Sequence, residues 1–294
     1  MENPWSGREV TMIIAGTDIF DAMKKYPIVL TIAGSDSGGG AGIQADIKAI
    51  SATGSFAASA ITAVTVQNTL GVKAVHDIPA GIVRGQIDAV LDDIGADAVK
   101  IGMLSSAELV RAVRASLAAH SVSNIVLDPV MVATSGDRLI SGDAVPVLES
   151  ELAPFARILT PNVPEAEILS GKKILGTEDL PGTGKLISEK MFRISGRKVS
   201  VLMKAGHLDG DELVDYFYNA EEGRFTELRS PRIETRNTHG TGCTLSSALA
   251  SFLAQGYGLD ESALRAKEYI SRAIAAGAIY QIGHGHGPVN HFLL

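Results

Sequence analysis

Residues 98–127 read AVKIGMLSSAELVRAVRASLAAHSVSNIVL. A short apolar run, an amphipathic stretch over 107–119 and a second short apolar run follow one another, which is the pattern of a βαβ unit. The runs at 98–101, 124–127 and 158–160 read as continuous apolar strands. That is expected where helices cover both faces of a parallel sheet. Working outward, further strands are expected at 28–33, 60–67, 200–204 and 212–218, and helices at 42–53, 80–94, 143–152, 163–169, 182–195, 244–254 and 259–281. The fold class is therefore α/β, with a mostly parallel central sheet and helices on both faces. Residues 205–236 read as antiparallel strands with a hairpin that extends one edge. No linker or low-complexity tract interrupts residues 23–294, so one domain is expected there.

The chain has 294 residues, 46% of them hydrophobic and 20% charged, enough for a sizeable core. A single cysteine, Cys243, excludes an internal disulfide framework and fits a reducing compartment, so a cytoplasmic address is expected. The net charge of −7, without a lysine- or arginine-rich run, argues against nucleic acid or an anionic membrane as the main partner. No stretch approaches the ~18 apolar residues of a membrane span. Residues 1–22 carry an echo, MIIAGTD at 12–18 against LTIAGSD at 30–36, but no glycine-rich continuation. They are expected to be a leader outside the fold, with Met23 as a plausible start.

In open α/β sheets ligands bind beyond the carboxyl ends of the strands. Those positions here hold Gly34-Ser35-Asp36, Gln67-Asn68-Thr69, Gly102-Met103, Asp128-Pro129, Pro161-Asn162 and Gly206-His207. The segment SDSGGGAGIQAD (35–46) lacks the Gly-Lys-Ser/Thr of a Walker loop and the distal acid of a dinucleotide fingerprint. Its three consecutive glycines fit close backbone approach to a ligand, with Asp36 and Asp46 available for polar contacts. Gln67 offers a planar set of donors and acceptor suited to an aminated heteroaromatic ring, or belongs to a turn. Met103 is a pocket wall or core filler. Asp128 and Glu165 are strand-end carboxylates able to hold Mg²⁺ beside phosphates, while Asn162 doubles as a helix cap next to Pro164. Lys204 ends an apolar strand, where a phosphate partner would relieve the cost of burying it.

The run NTHGTGCTLSSALA (237–250) takes a glycine-broken loop straight into an apolar helix. Gly240, Thr241 and Gly242 leave backbone N–H groups uncovered, and the helix adds the positive end of its dipole. This is an anion hole suited to a phosphoryl group in transfer, hence the chemical centre of a kinase. Cys243 lies in the first helical turn, where a thiolate is stabilised. The C-terminal GHGHGPVNH (283–291) is read as a loop bordering a nucleotide pocket rather than a metal site.

Eight ordered segments closely resemble the bacterial hydroxymethylpyrimidine/phosphomethylpyrimidine kinase family of thiamine biosynthesis, a ribokinase-like family. They are LTIAGSDSGGGAGIQADIKA (30–49), ITAVTVQNT (61–69), KIGML (100–104), VLDPVM (126–131), TPNVPEAE (160–167), LMKAGH (202–207), NTHGTGCTLSSALA (237–250) and GHGHGPVNHF (283–292). The resemblance implies a three-layer α/β/α sandwich, ATP with Mg²⁺, and two successive phosphorylations of 4-amino-5-hydroxymethyl-2-methylpyrimidine; a homodimer is expected as well. By motif, Gln67 would bond the aminopyrimidine, with Ala41, Gly42 and Met103 lining its pocket and Asp46 near that pocket or the phosphates. Lys204 would face the phosphates, Asp128, Asn162 and Glu165 would form the nucleotide and metal region without a dedicated protein cage, and Gly240–Cys243 would be the anion hole. Most ribokinase-like kinases carry an aspartate base where Cys243 stands, and cysteine resembles the pyrimidine-kinase branch. Two other readings are a pyridoxal kinase of the same branch and a non-catalytic pyrimidine-binding sensor.

Overall fold

The computed structural model describes residues 25–131, 139–206, 208 and 211–293. The expectations for residues 1–22 and for His207 lie outside the described residues. The strands are β1 (Ile28–Asp36), β2 (Phe56–Asn68), β3 (Gly71–Asp77), β4 (Ala98–Ile101), β5 (Ile125–Leu127), β6 (Ile158–Leu159), β7 (Ser200–Met203), β8 (Glu212–Asn219) and β9 (Arg224–Pro231). They form one nine-stranded sheet in the order β3-β2-β1-β4-β5-β6-β7-β8-β9. The pairings from β2 through β7 are parallel, and β3, β8 and β9 join antiparallel at the edges. The strand order reverses between β1 and β4, which is where a sheet of this kind opens a ligand crevice.

The helices are α1 (Gly42–Ala52), α2 (Ala80–Asp93), α3 (Ala107–Ala119), α4 (Ala144–Val147), α5 (Val163–Ser170), α6 (Asp179–Ser195), α7 (Thr241–Ala254) and α8 (Leu259–Gly277). Side chains alternate across a strand, so each central strand feeds two cores. Leu30, Ile32, Val99, Ile101, Ile125 and Leu127 pack with α2, α3, α5 and α6. Val29, Ala98, Val126 and Leu202 face α1, α7 and α8. The result is the three-layer α/β/α sandwich.

Three expectations need correction. The helix at 143–152 is broken: α4 is one turn, followed by a π-helical turn (Leu148–Leu152) and a 3₁₀ turn (Ala153–Phe155). Pro146 within this stretch and Pro154 just after it each remove a backbone donor, which the interior of a regular helix does not tolerate. β3 has no counterpart among the expected strands, because almost all of its residues are exposed and no buried face imprints a pattern. Finally, β4 is not wholly apolar. Lys100 sits in it, fully buried and turned toward α1 and α7.

Candidate active site

Two glycine loops meet at the carboxyl end of β1. Asp36 collects the amides of Gly38 (2.7 Å), Gly40 (3.0 Å) and Ala41 (2.8 Å), folding the loop back to start α1 at Gly42. Its fourth partner is His239 Nε2, at 2.9 Å, from the loop that precedes α7. Asp36 therefore organises the loop rather than offering itself to a ligand. Gly240 adopts φ +80°, and a Cβ there would lie 1.8 Å from the Gly40 carbonyl oxygen. Only glycine permits so close an approach at such a φ. The 283–291 segment backs this junction: His286 N–H donates to the Thr69 carbonyl (2.9 Å) and His239 N–H to that of Gly287 (3.0 Å). It backs the loop junction and is not among the residues that line the cleft, where the border of a nucleotide pocket was expected. His291 is buried with Nε2 3.0 Å from Thr244 Oγ1, and burial, with Lys48 nearby, pushes its imidazole down to about 4.

The helix α7 begins with no side-chain cap. The Thr241 amide turns back to the Thr238 carbonyl (3.3 Å), which leaves the amides of Gly242 and Cys243 in the uncapped first turn, at residues that line the cleft. Gly242 faces the opposite wall, where a Cβ would come within 3.3 Å of Lys204 Nζ and 3.5 Å of Asp128 Oδ2. Cys243 is half-buried against the cleft. Burial pushes its thiol up to about 11; Lys100 and the Gly42 amide oppose this, while Asp46 and Asp128 add to it. The expected thiolate is thus not the resting form.

Lys204, at the end of β7, donates to Asp128 Oδ1 (2.7 Å) and lies 3.9 Å from Glu165 Oε2. Its burial is compensated by carboxylates, so no phosphate is needed for that purpose. Asp128 also accepts from Thr160 (3.0 Å) and Ser246 (3.3 Å). Burial raises the Asp128 carboxyl, but Lys204 and Lys100 hold it below the usual carboxylate range. Glu165 goes the other way: burial pushes it up to about 7, with Lys204 opposing and Asp128 adding to the rise. Asn162 and Glu165 form a reciprocal capping box at the start of α5, so the capping and cleft-lining readings of these residues hold together.

Two ion pairs were not singled out from the sequence. Lys100 donates to both oxygens of Asp46 at 2.9 Å, and Thr31 (2.6 Å) and Ser247 (2.7 Å) complete the carboxylate's shell. Asp46 thus lies under the cleft wall, fully buried, and not in the pocket. On the other flank Lys267 donates to Asp215 (2.7 Å), which accepts the Ala205 amide beside Lys204 (2.7 Å). A lysine at the third position of the otherwise apolar run 98–101 was the available signal for Lys100; Lys267, inside an amphipathic helix, left none.

One cleft of about 650 Å³ joins these parts. Gln67, Ala41, Gly42 and Met103 line one end with Cys243, and Lys204, Asp128, Asn162 and Glu165 line the middle. Beyond them the cleft continues between β9 and α8, past Arg232 and Lys267.

A mostly parallel α/β/α sandwich whose uncapped helix start faces a lysine and two carboxylates across one cleft has the architecture of the ribokinase-like kinases. The model of the family Phosphomethylpyrimidine kinase matches residues 36–290, and the chain belongs to that family. It is 49% identical over 265 residues to the hydroxymethylpyrimidine/phosphomethylpyrimidine kinase of Rhizobium meliloti, covering 90% of this chain and 97% of that protein. It is 46% identical to the thiamine biosynthesis bifunctional protein ThiED of Geobacter sulfurreducens, covering 95% of this chain but only 56% of that longer protein. Among solved structures, phosphomethylpyrimidine kinase from Clostridium difficile matches with a TM-score of 0.73 and 43% identity, over 85% of this chain and 100% of that one. The pyridoxal kinase of Staphylococcus aureus in complex with AMP-PCP and pyridoxal matches with 0.81 and 30%, over 92% and 95%. Backbone likeness does not separate the two activities; sequence identity favours the pyrimidine kinases.

Proposed function

We propose that this chain transfers the γ-phosphoryl group of ATP to the hydroxymethyl oxygen of 4-amino-5-hydroxymethyl-2-methylpyrimidine, and then a second one to the monophosphate, in thiamine biosynthesis. The observation that carries this reading is that Gln67 and the Gly242–Cys243 amides open on one cleft with Lys204. In it Gln67 binds the ring's amine and adjacent nitrogen, Ala41, Gly42 and Met103 enclose the ring, and the α7 amides hold the phosphoryl oxygens. Lys204 neutralises charge between donor and acceptor, and Asp46 supports the wall from behind. The attacking alcohol must lose a proton, for which Cys243 is the group at hand. The monophosphate is already anionic near pH 7 and needs only positioning.

Mg²⁺ fits the donor set, since Asp128 and Glu165 present hard carboxylate oxygens flanking Lys204. They and Asn162 would hold it against the phosphates, partly through water, and it would supply further charge neutralisation. The reading also includes a cytoplasmic homodimer, with residues 1–22 outside a kinase domain spanning 23–294. Among the described residues no helix is long and apolar enough to cross a membrane.

ADP release measured with the pyrimidine alcohol, its monophosphate and pyridoxal tests the proposal. Turnover of both pyrimidines, with a higher kcat/KM than for pyridoxal, is expected. Equal or better use of pyridoxal would favour the pyridoxal-kinase reading, and tight pyrimidine binding without ADP release would favour the sensor.

A further inference from the structure

Gln67, His239, Asp36 and Thr65 share a chain of hydrogen bonds at the cleft. His239 Nε2 lies 2.9 Å from Asp36 Oδ2 and 3.4 Å from the nearer amide atom of Gln67. Asp36 also takes three backbone amides. Burial raises its carboxyl, but His239 and those amides hold it below the usual range. It is therefore an anion, which only accepts, so Nε2 carries a proton and cannot accept one. With Gln67 Nε2 toward His239, two donors would face each other. At the other end, Thr65 Oγ1 lies 2.9 Å from the Ser35 carbonyl and 3.0 Å from the other Gln67 amide atom. Its single hydrogen can go to Ser35 or to Gln67, and when Ser35 takes it the oxygen is left to accept from Gln67. The donor on His239 favours the amide turned by 180°, with Oε1 toward His239 and Nε2 toward Thr65, and Thr65 can accept there while it donates to Ser35. Such a turn is decided by partners, not by shape.

We propose that His239 is a positioning residue that determines ring specificity by locking the Gln67 amide in this orientation. The proposal rests on the reading of this end of the cleft as the ring site. The locked amide offers the cleft an acceptor on the His239 side and a donor on the Thr65 side. An amino group beside a ring nitrogen matches that order. A 4-oxo ring, with a carbonyl beside a ring N–H, presents the reverse order and leaves both amide atoms facing like groups.

The test compares kcat/KM for the 4-amino ring and for its 4-oxo analogue, in the parent, His239→Phe and His239→Gln. The parent should prefer the amino ring. His239→Phe frees the amide to turn, so turnover of the oxo ring should rise and the preference shrink by about tenfold or more, the worth of one unpaired polar contact. His239→Gln keeps an N–H between Asp36 and Oε1 and should retain the preference. A merely structural role would lower both substrates together and raise neither. Equal losses on the two rings in His239→Phe would overturn the proposal. Independently of turnover, ¹⁵N spectra of the ligand-free parent should show His239 Nε2 protonated, and a bare Nε2 would overturn it as well. A parent that phosphorylates neither ring refutes the proposed function, and the spectrum then decides the orientation by itself.

Discussion

Cys243 occupies a helix N-terminus, a place that ordinarily favours a thiolate, yet burial outweighs the dipole and leaves the thiol near 11. At pH 7 the protonated thiol is then the dominant form. Alkylation of the ligand-free protein by iodoacetamide should therefore keep accelerating past pH 9, and a plateau near pH 8 would contradict it. If the thiolate takes the proton of the alcohol, turnover of the alcohol should climb as pH rises from 7 to 9, while turnover of the monophosphate stays flatter. Cys243→Ala should remove that difference; an unchanged climb would deny the thiol a role as base. Glu165 makes the opposite kind of test, one of stability. Its carboxyl is raised from 4.5 to about 7. Below pH 4.5 both folded and unfolded chains hold the proton. Between 4.5 and 7 the unfolded chain loses it first, so this group lowers stability as pH rises through that window. Glu165→Gln removes the penalty, and the melting temperature of the variant relative to the parent should increase from pH 4.5 to 7. A constant difference would show that Glu165 ionises normally in the fold.

The two glycine loops separate steric necessity from chemistry. Gly240 is in the left-handed region and in contact with the Gly40 carbonyl, so Gly240→Ala must push the loops apart. A loss of more than about 2 kcal/mol in stability is expected, together with activity. Gly242 lies in the first helical turn without a positive φ, and an added methyl meets only the ends of Lys204 and Asp128. Gly242→Ala should fold with a near-parental melting temperature and still lose phosphoryl transfer, because the methyl stands where a phosphoryl oxygen must sit. Loss of stability equal to that of Gly240→Ala would contradict this division. The loops were legible in the sequence because glycine clusters between a strand and a helix leave few physical alternatives. Which amides remain free was not legible, since that depends on the turn that spends the Thr241 N–H. The stretch over 143–152 misled for a related reason: its apolar spacing suits a helix, yet with Pro146 inside it and Pro154 just beyond, it runs through a single α-turn and a π-helical turn into a 3₁₀ turn.

At the scale of the molecule, the sandwich was legible from periodicity alone, because strands covered on both faces must be apolar. β3 escaped because an exposed edge strand is under no such demand. The tie between the layers escaped because it depends on residues distant in sequence. Lys100 in β4, Asp46 in α1 and Ser247 in α7 meet in a fully buried cluster, joining the sheet to the two helices that carry the glycine loops. Nothing local marks Asp46 as the partner of a lysine 54 residues away. A buried pair is weak evidence for net stability, but removing one member strands the other's charge. Lys100→Met should therefore cost about 3–5 kcal/mol, read as a lower midpoint in urea unfolding. Asp46→Asn in the same chain removes the orphaned charge and keeps an acceptor for Thr31 and Ser247, so the double variant should recover a large part of the loss. The coupling in this double-mutant cycle measures the tie itself. Additive losses would mean that the two residues act separately and that the α1–α7 layer is held by its apolar core alone.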